Sequence, residues 1–193
     1  MKRSLICLIL VFFCFSEINF AQKFKGMFYL GINSSQFDGD DFAGYKKPGI
    51  ISGAGVNYPL SEHWSCQGEI FYSRKGSKEI SETIYFLLQL NYLEMPFLFI
   101  YHAGVFDLQA GAGYGVLISS RLNIGYGFTE IDDIKSYDVP FIAGFNYHFT
   151  EHIGFDFRFN YSMLNVLKEG HVGRGGFLKG YNNLLSSSIR YFF

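Results

Sequence analysis

What is scarce in this chain limits its fold before any motif is read. Its 193 residues include only 4 prolines and 3 cysteines, and the formal net charge is −1. A chain so close to neutral carries no field to hold nucleic acid, so none is expected as a partner. Two of the cysteines, Cys7 and Cys14, fall in the first 21 residues. Beyond these only Cys66 remains, so no intramolecular disulfide can form there. That stretch also has no apolar run approaching the ~20 residues a membrane helix needs. The earlier run Leu5 to Phe15 is apolar but short. With Lys2 and Arg3 before it and the small Ala21 after it, residues 1–21 read as a cleaved secretory signal peptide, although Asn19 departs from the usual small residue. Lipid attachment at Cys14 is not expected, because Val11, Phe12 and Phe13 stand where small residues would be needed. Residues 22–193 are then one domain. Against these scarcities stand 22 glycines and 20% aromatic residues, a composition of strands and tight turns.

Residues Phe155 to Met163 show the pattern most clearly. Successive side chains of a strand point to opposite faces. One face carries Phe155, Phe157, Phe159, Tyr161 and Met163, and the other Asp156, Arg158, Asn160 and Ser162. Seven further strands are expected, at about Lys23–Ser35, Gly49–Tyr58, Trp64–Arg74, Thr83–Tyr101, Val105–Arg121, Ser136–Phe149 and Tyr181–Phe193. The third puts Ser65, Gln67 and Glu69 on its polar face, the fourth Gln89 and Asn91, the sixth Asn146 and His148. Nothing helical remains to cover so many apolar faces. Lipid outside and polar side chains within suit them all, which gives an all-β, eight-stranded antiparallel up-and-down transmembrane β-barrel. Connections at Pro59–His63, His102–Gly104 and Thr150–His152 are short. Those at Gln36–Pro48, Lys75–Glu82, Leu122–Lys135 and Lys168–Gly180 are longer and polar. Outer-membrane barrels have short periplasmic turns and long outside loops, so both termini are expected in the periplasm. A soluble lipocalin-like carrier, with its apolar faces inward, satisfies the same alternation.

The chain ends Ile189-Arg-Tyr-Phe-Phe193. A terminal aromatic with another on the same face, Phe193 and Tyr191, resembles the signal by which the barrel-assembly machinery recognises its clients, with Ser188 where glycine is usual. Four ordered segments extend the likeness: Gly31 to Gly49, Gln67-Gly-Glu-Ile-Phe-Tyr-Ser-Arg-Lys-Gly76, Asn91-Tyr-Leu-Glu-Met-Pro96 and Leu108-Gln-Ala-Gly-Ala-Gly-Tyr-Gly115. Through them residues 22–193 resemble the PorT-like outer-membrane β-barrel family of Bacteroidetes-type bacteria. The resemblance implies an integral outer-membrane protein with lipid and the assembly machinery as partners. The family name comes from a member tied to protein secretion.

Candidate chemistry is sparse. Asp38, Asp40 and Asp41 open like a calcium loop, but the position of its bidentate glutamate is Gly49, so solvated turn acids are the expected reading. Gly111, Gly113 and Gly115 precede no helix, and small residues there give neighbouring side chains room in a narrow barrel. His63, His102, His148 and His152 fall near the short turns with no ligand spacing, and no metal or cofactor is expected. His171 in the last loop has no recognisable serine and acid partners, so no enzyme is expected. Glu69, Asp156, Arg158 and Arg190 share the polar face at similar heights. They are expected to form ion pairs that fill the lumen, since ~8 strands enclose room only for side chains. The leading reading is a non-enzymatic barrel, closed to solutes, that acts through its outer loops in surface interaction or secretion-related assembly. A narrow channel, a membrane-embedded lipid-modifying enzyme and a secreted carrier are the alternatives.

Overall fold

The computed structural model describes residues 24–40, 42, 44–168 and 179–193. Cleavage at 1–21, Asp41, His171 and most of the last loop lie outside the described residues. The strands are β1 (Lys25–Asp38), β2 (Lys47–Pro59), β3 (Trp64–Ile80), β4 (Tyr85–Ala103), β5 (Phe106–Asn123), β6 (Phe128–Glu130), β7 (Tyr137–Asp138), β8 (Pro140–His148), β9 (Ile153–Ser162) and β10 (Tyr181–Phe192). Eight of them, β1 to β5 and β8 to β10, pair antiparallel with their neighbours, and β1 pairs with β10 to close the ring. Closure satisfies every edge, which is what permits so many aromatic side chains on the outside. The seam ends where Gly26 and Phe193 exchange backbone hydrogen bonds of 3.0 Å. Phe193 packs on Phe28 at 5.1 Å between ring centroids.

Both described chain ends and the short turns after β2, β4 and β8 share one end of the barrel, here called the turn end. The opposite, loop end carries the longer connections. Strand β9 divides as its sequence alternates: Asp156, Arg158, Asn160 and Ser162 are buried inside, and Phe155, Phe157, Phe159 and Tyr161 face out.

Four expectations need correction at the loop end. The turn expected over Lys75–Glu82 is strand as far as Ile80, paired with Tyr85. The expected sixth strand is interrupted between β7 and β8, where Pro140 supplies no N–H to the ladder. The loop after β5 folds back as β6, pairing Glu130 with Arg121. Gln89 and Asn91 face outward, not into the lumen. Asn91 accepts from Tyr72 Oη at 2.7 Å and donates to Ser119 Oγ at 2.7 Å, while Leu88 and Leu90 point inward. The reason is an inversion of environment. Above the apolar outer band the outside is polar, and the inside is filled by hydrocarbon.

That filling is a cap. Phe37, Phe86, Leu88, Leu90 and Tyr92 of the strands meet Ile134, Val166 and Leu167 from the connections. The two connecting segments are tied by a bridge between Ile134 and Leu167.

Candidate functional site

The lumen below the cap is a stack of polar layers. Nearest the middle, Arg158 makes a fork to Glu69, with Nη1 to Oε2 at 2.7 Å and Nη2 to Oε1 at 2.6 Å. Arg190 Nη2 donates to the same Oε1 at 3.1 Å. Asp156 lies 3.1 Å from Arg158 Nε and 3.3 Å from Arg190 Nε. The four side chains expected to share the polar face are therefore in one cluster of two cations and two anions. Gln67 donates to Glu69 and Gln109 to Asp156, while Tyr29 Oη donates to Glu69 Oε2 at 2.8 Å. Gly144 opposite Arg158 is what admits so large a side chain. A Cβ there would lie 2.9 Å from the Arg158 Cα and 2.1 Å from the Phe157 carbonyl oxygen. A charge in this setting is tolerated only when paired, and here each has a partner.

Between this quartet and the cap sits a second cluster that the sequence reading missed. Lys75 Nζ lies 3.0 Å from Glu94 Oε1 and 3.4 Å from Asp138 Oδ2. Ser162 Oγ and Asn182 Nδ2 each donate to Asp138 Oδ2 at 2.9 Å. Gly115 leaves the space that Glu94, Tyr92 and Asp138 occupy, as its would-be Cβ lies 3.3 to 3.6 Å from them. Two signals were legible. The parity of Ser65, Gln67 and Glu69 continues to Lys75 once the strand is extended, and Glu94 is a lone acid in an apolar run.

At the turn end a hydrogen-bonded belt crosses the inner wall. Asn57 Nδ2 donates to Ser65 Oγ at 2.8 Å, and Ser65 lies 2.9 Å from His102 Nε2. His102 Nδ1 is 2.7 Å from Asp107 Oδ1, and His148 Nε2 is 2.6 Å from Asp107 Oδ2. The order serine, histidine, aspartate is that of a hydrolase triad. Yet Ser65 is 0% exposed, so no carbonyl can reach its hydroxyl, and the contact is a wall contact. His63 and His152 stand apart from this belt, His152 Nδ1 lying 3.0 Å from the Phe192 carbonyl oxygen. Among the described residues no group of three or more His, Cys, Asp or Glu is placed to hold a metal ion. Beneath the belt lies an open cavity of about 860 Å³ that reaches inward to Gln67, Gln109 and Arg190.

Outside, Tyr191 and Phe193 are exposed beside the seam between β10 and β1. At the loop end, β3 to β6 continue past the polar collar of Gln89, Asn91, Ser119 and Arg121. From Gln89 to Tyr85 is roughly 13 Å of strand at about 3.3 Å per residue. The hairpin between β5 and β6 ends in Tyr126, which is 97% exposed. Asn123 Oδ1 accepts from the N–H of Gly125 at 2.9 Å and of Gly127 at 3.2 Å. Both glycines have positive φ, of 108° and 101°, so this tip is a built turn.

The architecture has close counterparts among solved structures. Ail, the attachment invasion locus protein of Yersinia pestis, aligns over 88% of this chain and 98% of its own at a TM-score of 0.55 and 13% identity. Neisserial surface protein A aligns over 88% and 96%, with a TM-score of 0.50 and 10% identity. At such identities the likeness is one of fold. Among curated proteins, none matches the sequence. A family model described as the outer membrane protein beta-barrel domain matches residues 20–168. The chain, an all-β ring of eight antiparallel strands with an aromatic exterior, belongs to that family of outer-membrane β-barrels.

Proposed function

We propose that the protein is a non-enzymatic outer-membrane barrel, closed to solutes, that makes contacts at the cell surface through its loop end. The observation that carries this reading is the extended β3–β6 wall. It lifts Ile124, Tyr126 and Phe128 well beyond the polar collar, on a tip shaped by its own hydrogen bonds. Large exposed apolar side chains on a rigid support are costly in water and mark contact surfaces. The closed lumen supports the other half. A solute would have to pass a neutral quartet, a second ion cluster and an apolar cap. The buried Ser65 favours the non-enzymatic reading over a lipid-modifying enzyme.

The remaining parts of this reading rest on sequence. Residues 1–21 are the export signal, the termini face the periplasm, and Tyr191 with Phe193 is read by the barrel-assembly machinery. The motifs of β1, β3, β4 and β5 resemble those of the PorT-like group, one member of which is tied to protein secretion, and this makes a surface assembly partner the second reading. Whole cells carrying the wild type, or a variant with residues 123–128 replaced by a Gly-Ser turn, test the loop-end role. The variant is expected to fold and to lose adherence to neighbouring cells and surface proteins. Equal adherence overturns the loop-end reading, and measurable conductance of the wild type in planar bilayers overturns the closed lumen.

A further inference from the structure

The collar beneath the loop-end tip has no role in that reading, yet it gathers cations on one outer face. On β3, Ser73, Lys75 and Ser77 are buried inside, so Arg74, Gly76 and Lys78 take the outward parity. Register sets Gly76 beside Gln89 and Gln89 beside Arg121, one row across three strands. Arg74 stands one row nearer the turn end, beside Asn91, and Lys78 one row nearer the loop end, beside Leu87. At about 3.3 Å per residue and 4.8 Å between strands, the Cα atoms of Arg74, Lys78 and Arg121 lie about 12–13 Å apart. At the centre of this triangle are Gln89 and the bare backbone of Gly76. Tyr72 and Ser119 hold Asn91 from either side at 2.7 Å, which fixes the floor of the patch.

The three charges are not cancelled by their neighbours. Glu79, next to Lys78, is taken by Lys46 at 2.5 Å. Arg121 has only Glu130, which is 3.9 Å away with its side chain 82% exposed, a contact worth little in water. Of the Arg74 guanidinium only Nε is enclosed, and no side chain among the described residues takes its two terminal nitrogens. Toward the turn end the same outer face becomes apolar at once, with Ile70, Met95, Phe97 and Ile118 all exposed.

In an outer-membrane barrel that apolar face lies against acyl chains, and the patch directly above it lies at the height of lipid headgroups. A soluble acidic partner would meet the cations and leave the apolar face below them unused. A lipid with phosphate on its headgroup meets both, and phosphate oxygens suit the fork of an arginine as well as the point charge of a lysine.

We infer that the outer patch of Arg74, Lys78 and Arg121 is a binding site for a phosphorylated outer-leaflet glycolipid, whose phosphate lies over Gln89 and whose acyl chains run down past Met95 and Phe97. The choice of leaflet rests on the proposed outward direction of the loop end. Isotope-labelled full-length mature protein in phosphatidylcholine nanodiscs tests the site by chemical shift, with rising fractions of monophosphoryl lipid A or of the same lipid freed of phosphate. Both faces of the disc carry the lipid, so the readout does not depend on how the barrel is oriented in a cell or on what its tip contacts.

Saturable shifts of Gly76 and of the Gln89 side-chain amide are expected, with none at Gly154 near the turn end. Removing the phosphate should weaken binding about tenfold or more, the worth of a hydrogen bond to a charged group. Lys78→Gln combined with Arg121→Gln should weaken it by a similar factor, and Lys25→Gln, at the turn end, should leave it unchanged. Inorganic phosphate and a hexaglutamate peptide, as soluble anions, should give no saturable shift at the same concentrations. Equal binding of the phosphate-free lipid, unchanged binding in the double variant, or saturation by either soluble anion overturns the site.

Discussion

The two halves of the lumen solve the same problem in different ways. In the half toward the turn end, two arginines and two carboxylates balance, and the partners come from β3, β9 and β10 at positions of one strand parity. In the half toward the loop end, Lys75 faces both Glu94 and Asp138, and the space above is closed by hydrocarbon from strands and connections alike. The first half is a self-contained polar plug in which every charge has an opposite. The second has one carboxylate more than it has cations and leaves Glu94 Oε2 and Asp138 Oδ1 without hydrogen-bond donors. Balance makes the first cluster sensitive to any single loss. Imbalance makes the second tolerant of losing an acid.

Removal of Arg158 is the largest expected effect. Arg158→Ala leaves Arg190 alone between Glu69 and Asp156, one buried carboxylate in excess, and should cost about 3–5 kcal/mol, as breaking a buried pair does. Removing Glu69 together with Arg158 should recover part of that loss. A double-mutant cycle on detergent-folded protein, read by denaturant unfolding, measures the coupling. Coupling near zero would mean the quartet is not energetically linked.

The outside of the same strand comes next. Phe157→Arg places a charge on the lipid-facing side beside Arg158, and should cost about 2–4 kcal/mol near mid-membrane. Unchanged stability in lipid vesicles would contradict the assignment of faces.

The contrast between halves is sharpened by a matched pair. Glu69→Gln should destabilise by roughly the cost of stranding an arginine charge, several kcal/mol, whereas Glu94→Gln should cost less than about 1 kcal/mol, because Lys75 keeps Asp138. Equal losses for the two variants would show that charge balance does not separate the clusters.

A smaller effect is expected at the assembly end. Phe193→Ser removes modest buried area, so the folded barrel should be little changed while insertion slows and periplasmic proteolysis rises. Pulse-chase insertion at the wild-type rate would leave Phe193 a seam contact only.

The smallest effect is expected in the first loop. Burial raises the pKa of Asp40 above its ordinary value, although its Oδ1 accepts from the Phe42 N–H at 3.0 Å. The fold therefore holds this proton more tightly than the unfolded chain does. Its contribution favours the fold at low pH and is lost as pH rises through the folded-state pKa. Asp40→Asn keeps the acceptor, so it should flatten that slope and change stability at neutral pH by a few tenths of a kcal/mol at most. Denaturant midpoints across pH 4 to 8 check it.

The contrast between halves also explains what could be read in advance. Alternation in β9 was legible because one environment lies on each side along its whole length, lipid against Phe157 and a polar lumen around Arg158. The same rule misplaced Gln89 and Asn91. At that height water and the collar lie outside β4, and the cap lies inside, so the apolar and polar sides exchange. Lys75 was missed for a related reason. A lysine and glycine followed by polar residues read as a loop, yet Gly76 at φ 135° continues β3 where a Cβ would lie 2.1 Å from the Leu88 carbonyl oxygen.

By itself the sequence determined the strand count, the closed-barrel class and the set of residues whose parity forms the quartet. These depend on local periodicity, which every strand carries in its own residues. The tertiary structure alone decided the pairing of Asp107 with two histidines, the Lys75 cluster and the cap. Each of these joins residues from different strands or connections, and which of them meet depends on register and on how the loops fold back. Strand periodicity says which face a side chain takes, but only closure of the ring says what stands opposite it.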